Sequence, residues 1–344
     1  MAVYLNPTNN TKLSFKCRLM EFSSPELNKK ELREHKKFVQ ALLYKDKHSL
    51  RTQSKPGHMP HDGFIHPLTL EQVLMTLYKK GNPDGWGIVK LDKAEITPQR
   101  SIKPAYKDKG FIKAADEFSS RSGCLMAHVR LAGDHSTINK ENTHPFISGK
   151  WAFMHNCGFK LKENSLFAEK LDICKNLFDF STEVDTKQAF GYFIGSLKEN
   201  GIDHKKDYRE QNLSFEKYLA LVEKSFAKTI MAIEKDSVPT YAPSGNNNLK
   251  IKTSPSLNFV ISDGNFSAAY RNGAKLYVGR HSLPGGREEF VVSSEDVSPK
   301  KFKGKLIWEE LENGEMVIFT KKQDGSVNYV RKPLEMAGKF DLQA

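Results

Sequence analysis

No apolar run in this chain of 344 residues approaches the length needed to cross a bilayer, so no helical membrane span is expected. The first sixteen residues carry Asn, Thr and Lys but no apolar h-region, and they do not read as a secretory signal. Cysteine is scarce. The four present, Cys17, Cys124, Cys157 and Cys174, stand far apart with no C-x-x-C pair. That argues against a disulfide framework or a zinc site and for reduced thiols in a cytoplasm. Also missing are a Walker A lysine motif and a G-x-G-x-x-G turn, so nucleotide binding has no support and no cofactor is expected. His58, His61, Asp62 and His66 match no strong zinc spacing and sit in a Pro- and Gly-containing stretch that reads as loop, so no metal is expected.

Charge is present but unfocused. Lys and Arg total 53 against 41 acids, a net charge of +12. Such a balance suits nucleic acid or an anionic surface. However, the basic residues are interleaved with acids, as in Lys29-Lys30-Glu31-Leu32-Arg33-Glu34-His35-Lys36-Lys37, which reads as a solvated helix face. No stripe of aromatics alternating with Lys or Arg accompanies them, so nucleic acid is not expected as a partner, and with no long apolar run neither is a membrane. A hydrophobic share of 38% fits a globular chain able to bury one large core or two small ones.

Hydrophobic periodicity sets the organisation. Residues 1–16 form a polar leader, and 23–66 are charged and irregular, with a helix near 26–44 and then a loop. Leu70, Val73, Leu74, Leu77 and Tyr78 form one apolar helical stripe, with Thr69 and Gln72 as a capping box and Gly81 at its end. Short strand-like runs follow at Ile88–Leu91, Cys124–Leu131 and Trp151–His155. Two helices come next. Asp185 caps one carrying Ala189, Phe190, Phe193, Ile194 and Leu197; Phe215, Leu219, Val222, Phe226 and Ile233 stripe the other. A loop over 243–248 precedes strand-like runs at 256–261, 266–270, 275–279, 288–293, 315–320 and 327–331. Helices between two sets of strands predict an α+β layered domain.

Five short motifs stand in order along this framework: Cys17-Arg18-Leu19, Asp84-Gly85-Trp86-Gly87-Ile88, Ala127-His128-Val129-Arg130, Asn142-Thr143-His144-Pro145-Phe146 and His155-Asn156. They supply a thiol nucleophile, a cation for a carboxylate and an amide donor for an oxyanion, the parts of an acyl-transfer site. In this order the set resembles the glutaminase domain of class II glutamine amidotransferases, the N-terminal-nucleophile family, and most closely its stand-alone bacterial type. A looser likeness continues through Ser262-Asp263-Gly264, Ala269-Tyr270, Val291-Val292-Ser293-Ser294-Glu295, Trp308 and Gly314. The family's fold is a four-layer αββα sandwich, which agrees with the α+β reading.

The resemblance implies roles. Cys17 would be the catalytic nucleophile, using its own α-amine as base. An α-amine titrating near ~8 and a thiol near ~8.5 exchange a proton at little cost. Arg130 would grip the α-carboxylate of glutamine through a bidentate fork, the bland alternative being a surface ion pair with Asp134 or Glu141. Asp185 matches the acid that holds the substrate's α-ammonium, a role compatible with helix capping. Asn156 would donate its amide to the oxyanion beside a backbone N–H. The family has glycine after this asparagine, whereas here Cys157 precedes Gly158; the N–H survives, but a positive φ would meet the Cβ. His144, on the substrate side, belongs to a motif that shapes the pocket wall, and Asp84 and Trp86 read as support near the site.

The resemblance thus implies an amidohydrolase in two parts, 1–16 as leader or propeptide and 17–344 as the amidotransferase-like domain. Its substrate would be glutamine or a γ-glutamyl small molecule, cleaved through a thioester. Any acceptor of the ammonia must be water or a partner enzyme, since no synthase domain is visible. The alternative is a catalytically silent scaffold of the same fold that binds a protein partner.

Overall fold

Two antiparallel sheets lie face to face, and the side chains that each strand hides explain why. The computed structural model describes residues 17–56, 81–91, 96, 98–132, 135–156, 159–162, 184–238, 240–244, 249–253, 257–322 and 324–334. The leader, the helix expected before Gly81, the His58–His66 stretch, Asp134, Cys157, Gly158 and Cys174 lie outside the described residues.

The first sheet joins β1 (Arg18–Ser23), β2 (Trp86–Leu91), β3 (Gln99–Ser101), β4 (Cys124–Val129), β13 (Tyr277–Ser282), β14 (Glu288–Ser293) and β15 (Leu306–Glu310). Its seven strands run in the order β15-β13-β14-β1-β4-β2-β3. The second holds β5 (Phe146–Ser148), β6 (Trp151–Asn156), β11 (Asn258–Ser262), β12 (Phe266–Tyr270), β16 (Glu315–Lys321) and β17 (Val327–Pro333). Its six strands run β17-β16-β12-β11-β6-β5. Two short ribbons accompany them, β7 (Lys160–Leu161) with β8 (Ser237–Val238) and β9 (Thr240–Ser244) with β10 (Leu249–Thr253).

Side chains alternate across each strand, so one strand feeds two cores. Along β1, Leu19 enters the layer between the sheets with Val89, Met126, Met154, Val260 and Val292. Met20 and Phe22 point the other way, toward α1 (Lys29–Gln40), α2 (Leu50–Gln53) and α3 (Lys109–Phe118), where Phe38, Leu50, Phe111 and Ala115 meet them. On the far side, α4 (Asp185–Glu199) and α5 (Phe215–Asp236) bring Phe190, Phe193 and Phe226 against Trp151, Phe153 and Phe259. The order is helices, sheet, sheet, helices, the four-layer αββα sandwich. Because helices cover both outer faces, the central strands are apolar on both sides, which made Phe290-Val291-Val292 and Trp151-Ala152-Phe153 readable as compact runs.

Caps account for the helix starts. Asn28 accepts the backbone N–H groups of Lys30 and Glu31 while the Glu31 carboxylate returns to the Asn28 N–H. Such a box contributes on the order of 1 kcal/mol. A π-helical turn, Ala41–Lys45, extends α1 to the expected end.

Several expectations shift. Leu131 and Arg130 lie past the end of β4. β1 and α3 went unread: β1 carries the charged Arg18 and Glu21, and both are buried. In α3, Phe111, Ala114 and Ala115 form a three-residue stripe too short to stand out, capped by Asp108 accepting from Gly110 N–H. Part of the stretch read as loop, at 243–244, belongs to β9. Asp185 is the first helical residue rather than the cap, which is Val184.

Candidate active site

Cys17 stands just before β1, in the middle of the first sheet. Register brings Arg18 opposite Val129 and Leu19 opposite His128, so the residue following Val129, Arg130, falls beside Cys17 at the end of the ladder. The Leu131 N–H donates to the Cys17 sulfur at 3.3 Å, and the thiol faces the Leu131 carbonyl at 3.6 Å. Burial pushes the Cys17 thiol pKa up; the Leu131 hydrogen bond and the Arg130 charge pull it back, and Asp185 adds to the rise. Three of the expected groups are therefore close enough to feel one another's charge.

Arg130 is 7% exposed. Burial lowers its pKa, while Cys17, Asp84 and Asp185 hold it up. Its guanidinium donates through Nη1 to the Thr137 carbonyl at 2.8 Å and through Nη2 to Thr137 Oγ1 at 2.7 Å. No ion pair with Glu141 accompanies this among the described residues, which do not include Asp134. Among the described residues two of its five N–H groups are used in this way, which leaves donors for a carboxylate.

The Asp84-Gly85-Trp86-Gly87 motif packs around Arg130. Asp84 N–H donates to the Arg130 carbonyl and Arg130 N–H to the Gly85 carbonyl, and the Asp84 carboxylate accepts from Ala132 N–H at 2.8 Å. Gly85 has φ +121°, and a Cβ there would lie 2.7 Å from the Ser101 carbonyl oxygen. At Gly87 a Cβ would come within 2.1 Å of the His144 carbonyl oxygen. Only glycine lets the Asn142–Phe146 segment seat against β2. Trp86 donates its indole N–H to Asp108 at 3.0 Å, holding α3 against the sheet.

From the second sheet, β6 delivers His155 and Asn156. Asn156 is buried, and its Nδ2 lies 2.9 Å from Ser294 Oγ, which also accepts the Leu19 N–H at 3.1 Å. One hydroxyl thus ties the asparagine to β1, two residues from Cys17. Asp185 accepts the Phe159 N–H at 2.9 Å through Oδ2 and the Thr186 N–H at 2.7 Å through Oδ1. It secures the chain three residues beyond Asn156 and places an acid at a helix N-terminus, where the helix dipole favours it.

His144 is buried against the rings of His128 and Phe146, with its Nδ1 3.1 Å from His128 Nε2. Burial holds His144 well below the usual imidazole range and His128 down to about 3, so both are neutral at physiological pH. His144 therefore offers no charge here. Neither Thr137, Thr186 nor Ser294 was picked out as a site residue in sequence. Only Ser294 carried any signal, as part of the Val291–Glu295 stretch. Among the described residues, no group of three or more His, Cys, Asp or Glu side chains could hold a metal ion, and no helix is long and apolar enough to cross a membrane.

No protein-family model matches the chain. Among solved structures, it is similar to a glutamine aminotransferase class-II domain protein from Silicibacter pomeroyi, at 18% identity over 73% of this chain and 91% of that one, with a TM-score of 0.44. It is also similar to the glutamine phosphoribosylpyrophosphate amidotransferase of B. subtilis, at 13% identity over 93% of this chain and 49% of that one, with a TM-score of 0.46. In sequence, it is 36% identical over 76 residues to the gamma-glutamyl-hercynylcysteine sulfoxide hydrolase of Mycolicibacterium smegmatis, covering 22% of this chain and 33% of that protein. The enzyme of the same name from Mycobacterium tuberculosis is 37% identical over 75 residues, 22% of this chain and 31% of its own length. The chain therefore spans about a third of the length of the curated relatives it matches, and over that stretch it is similar to γ-glutamyl hydrolases.

Proposed function

We propose that the protein is an amidohydrolase of the glutamine amidotransferase type that cleaves the side-chain amide of a γ-glutamyl compound, with Cys17 as nucleophile. One observation carries the reading: a buried thiol lies within the fields of both a guanidinium, Arg130, and a carboxylate, Asp185. A zwitterionic α-amino acid needs that pair of opposite charges, one for its carboxylate and one for its ammonium. The γ-glutamyl hydrolases to which the chain is similar in sequence support a γ-glutamyl amide as substrate, with free glutamine as the simplest member of the class.

In this reading the Cys17 sulfur attacks the γ-carbonyl carbon, and its proton passes to the Cys17 α-amine. The carbonyl oxygen becomes an oxyanion facing the Asn156 amide. Collapse breaks the C–N bond, the amine takes the proton and leaves, and a γ-glutamyl thioester remains. Water then attacks the thioester, releasing glutamate and restoring the thiol. A peptide nitrogen is no base, so residues 1–16 act as a leader that is cleaved at Lys16–Cys17. The thiol itself can do this by attacking the Lys16 carbonyl: the Lys16–Cys17 C–N bond breaks, which frees the α-amine and leaves the leader on the sulfur as a thioester, and water then hydrolyses that thioester, releasing the leader as a carboxylate and restoring the thiol.

The test is glutamate release from glutamine and a panel of γ-glutamyl amides, with intact-mass analysis of the purified protein. Release that depends on Cys17, from a chain that begins at Cys17, is expected. Turnover by a chain still carrying residues 1–16 would refute the α-amine step, and absence of release from every substrate would favour a silent scaffold.

A further inference from the structure

Ser294 has no part in the chemistry assigned above, yet it sits where the two sheets meet beside the nucleophile. It follows β14 directly, and two hydrogen bonds clamp it to β1: its N–H donates to the Leu19 carbonyl at 3.2 Å, and its Oγ accepts the Leu19 N–H at 3.1 Å. The neighbouring Glu295 pairs with Arg18 Nε at 2.8 Å, both side chains at most 10% exposed, so the next residue along is pinned as well. Across the sandwich, the same Ser294 Oγ meets the Asn156 amide at 2.9 Å.

We propose that Ser294 is the positioning residue for Asn156: its hydroxyl decides which end of the amide is presented to the reacting carbonyl. This rests on the reading of Cys17 as nucleophile. A serine hydroxyl has one proton to give and two lone pairs to offer. Leu19 N–H occupies one lone pair. With Nδ2 on Ser294, the second is occupied too, and Asn156 Oδ1 is left buried without a partner among the described residues. A buried unpaired carbonyl is costly and useless to an oxyanion.

An amide's oxygen and nitrogen are nearly the same size, so the group can turn over within the same space. Ser294 O–H then donates to Oδ1 and still accepts from Leu19 N–H. The NH2 comes to the place where Oδ1 stood, with both hydrogens unspent. An unpaired donor is what a developing oxyanion requires, and the carbonyl oxygen of the tetrahedral intermediate completes the set. Ser294 thus couples oxyanion stabilisation on one sheet to the nucleophile's strand on the other.

The experiment compares Ser294→Ala, Ser294→Thr and wild type on a γ-glutamyl substrate, and follows the Asn156 side-chain NH2 by 15N NMR in ligand-free protein. Removing an oxyanion donor outright costs roughly a hundred- to a thousandfold in kcat, so losing only its orientation is expected to cost about ten- to a hundredfold with little change in KM. Threonine keeps the hydroxyl and is expected to restore most of the loss. The Asn156 amide protons are expected to exchange faster in the alanine variant. An alanine variant with wild-type kcat, or with unchanged Asn156 amide exchange, overturns the assignment. A wild-type protein without Cys17-dependent turnover refutes the nucleophile reading instead, and amide exchange then decides on Ser294 by itself. Should the alanine variant not fold, Ser294→Cys, a weaker donor, is measured in its place, with a smaller drop of the same kind expected.

Discussion

Two thiols are buried at opposite ends of one β-ladder, and their surroundings differ in sign. Cys17 precedes β1; Cys124 opens β4, opposite Ser23 at the far end of β1. At ~3.3 Å per residue they lie on the order of 20 Å apart. Burial is much the same, 7% and 2% exposed, and in both cases desolvation pushes the thiol pKa up. What opposes it differs. Cys17 receives a backbone N–H and feels a guanidinium. At Cys124 hydrogen bonds from Ser262 and Ser267 oppose it, but the thiol gives its proton toward the Glu21 carboxyl at 3.3 Å, and the Glu21 charge adds to the rise. The end of the sandwich with the cation can stabilise a thiolate; the end with the acid stores two protons. Burial alone does not make a cysteine reactive, and the sign of the nearest charge decides.

Substituting each thiol gives the largest expected contrast. Cys17→Ala is expected to remove glutamate release altogether, a loss of at least about a thousandfold, with substrate still bound. Cys124→Ala is expected to keep kcat and KM within about threefold, at a modest cost in melting temperature for a small cavity between the sheets. Equal losses in both variants would erase the distinction.

Acidity tests the other end. Glu21 is fully buried and its pKa is raised to about 7, chiefly by desolvation, with Ser23, Cys124, Ser267 and the more distant Lys90 opposing. In the unfolded chain the carboxyl ionises near its ordinary 4.5. Between those values the folded state keeps a proton that the unfolded state has lost, so stability falls as pH rises through that window and the penalty is complete above it. Its ceiling is about 3 kcal/mol at 1.36 kcal/mol per pH unit. Glu21→Gln is expected to flatten this dependence, melting several degrees above wild type at pH 8 but not at pH 4.5. Parallel melting curves across the range would show that the carboxyl is not held neutral.

Returning to the Cys17 end, Arg130→Lys is expected to raise KM by roughly ten- to a hundredfold, because a point-charge ammonium lacks the planar fork that grips a carboxylate. An unchanged KM in a folded variant would remove Arg130 from substrate binding.

How much of this was legible in sequence follows from how each residue signals. Cys17, Arg130 and Asn156 belong to motifs that stand in a fixed order, and Gly85 and Gly87, from another motif of that set, proved to be packing requirements of the same corner. Strands buried on both faces, such as β12 and β14, were found to the residue because apolar runs end sharply at turns. β1 was not: a strand holding Arg18 and Glu21 looks solvated until Glu295 and a cluster of serines are seen to receive them. β15 escaped for the opposite reason, since Ile307 is exposed at an open edge and its apolar pattern is diluted. Ser294 meets Asn156 across 138 residues of sequence through its hydroxyl, and Thr137 meets Arg130 across 7 through its hydroxyl and its carbonyl, contacts that no local pattern marks. Cys157, named for the second oxyanion donor, falls outside the described residues.

The smallest expected effect concerns how the cation is held at the Cys17 end. Among the described residues, Arg130 is fixed by one residue through two atoms, the Thr137 carbonyl and its hydroxyl. Thr137→Val keeps the backbone carbonyl and the β-branched shape but removes the acceptor for Nη2. A hydrogen bond to a charged donor contributes about 1.5–3 kcal/mol when lost outright, yet here the second anchor stays and the substrate carboxylate can take up the freed N–H. A KM rise of roughly three- to tenfold with kcat unchanged is therefore expected. The pairing of a KM effect here with a kcat effect at Ser294 would separate the two tasks proposed for this corner, binding the substrate's carboxylate and stabilising its oxyanion. A Thr137→Val enzyme that lost kcat instead would mean that Arg130 acts on the thiolate rather than on the substrate, since its charge would then matter in the chemical step.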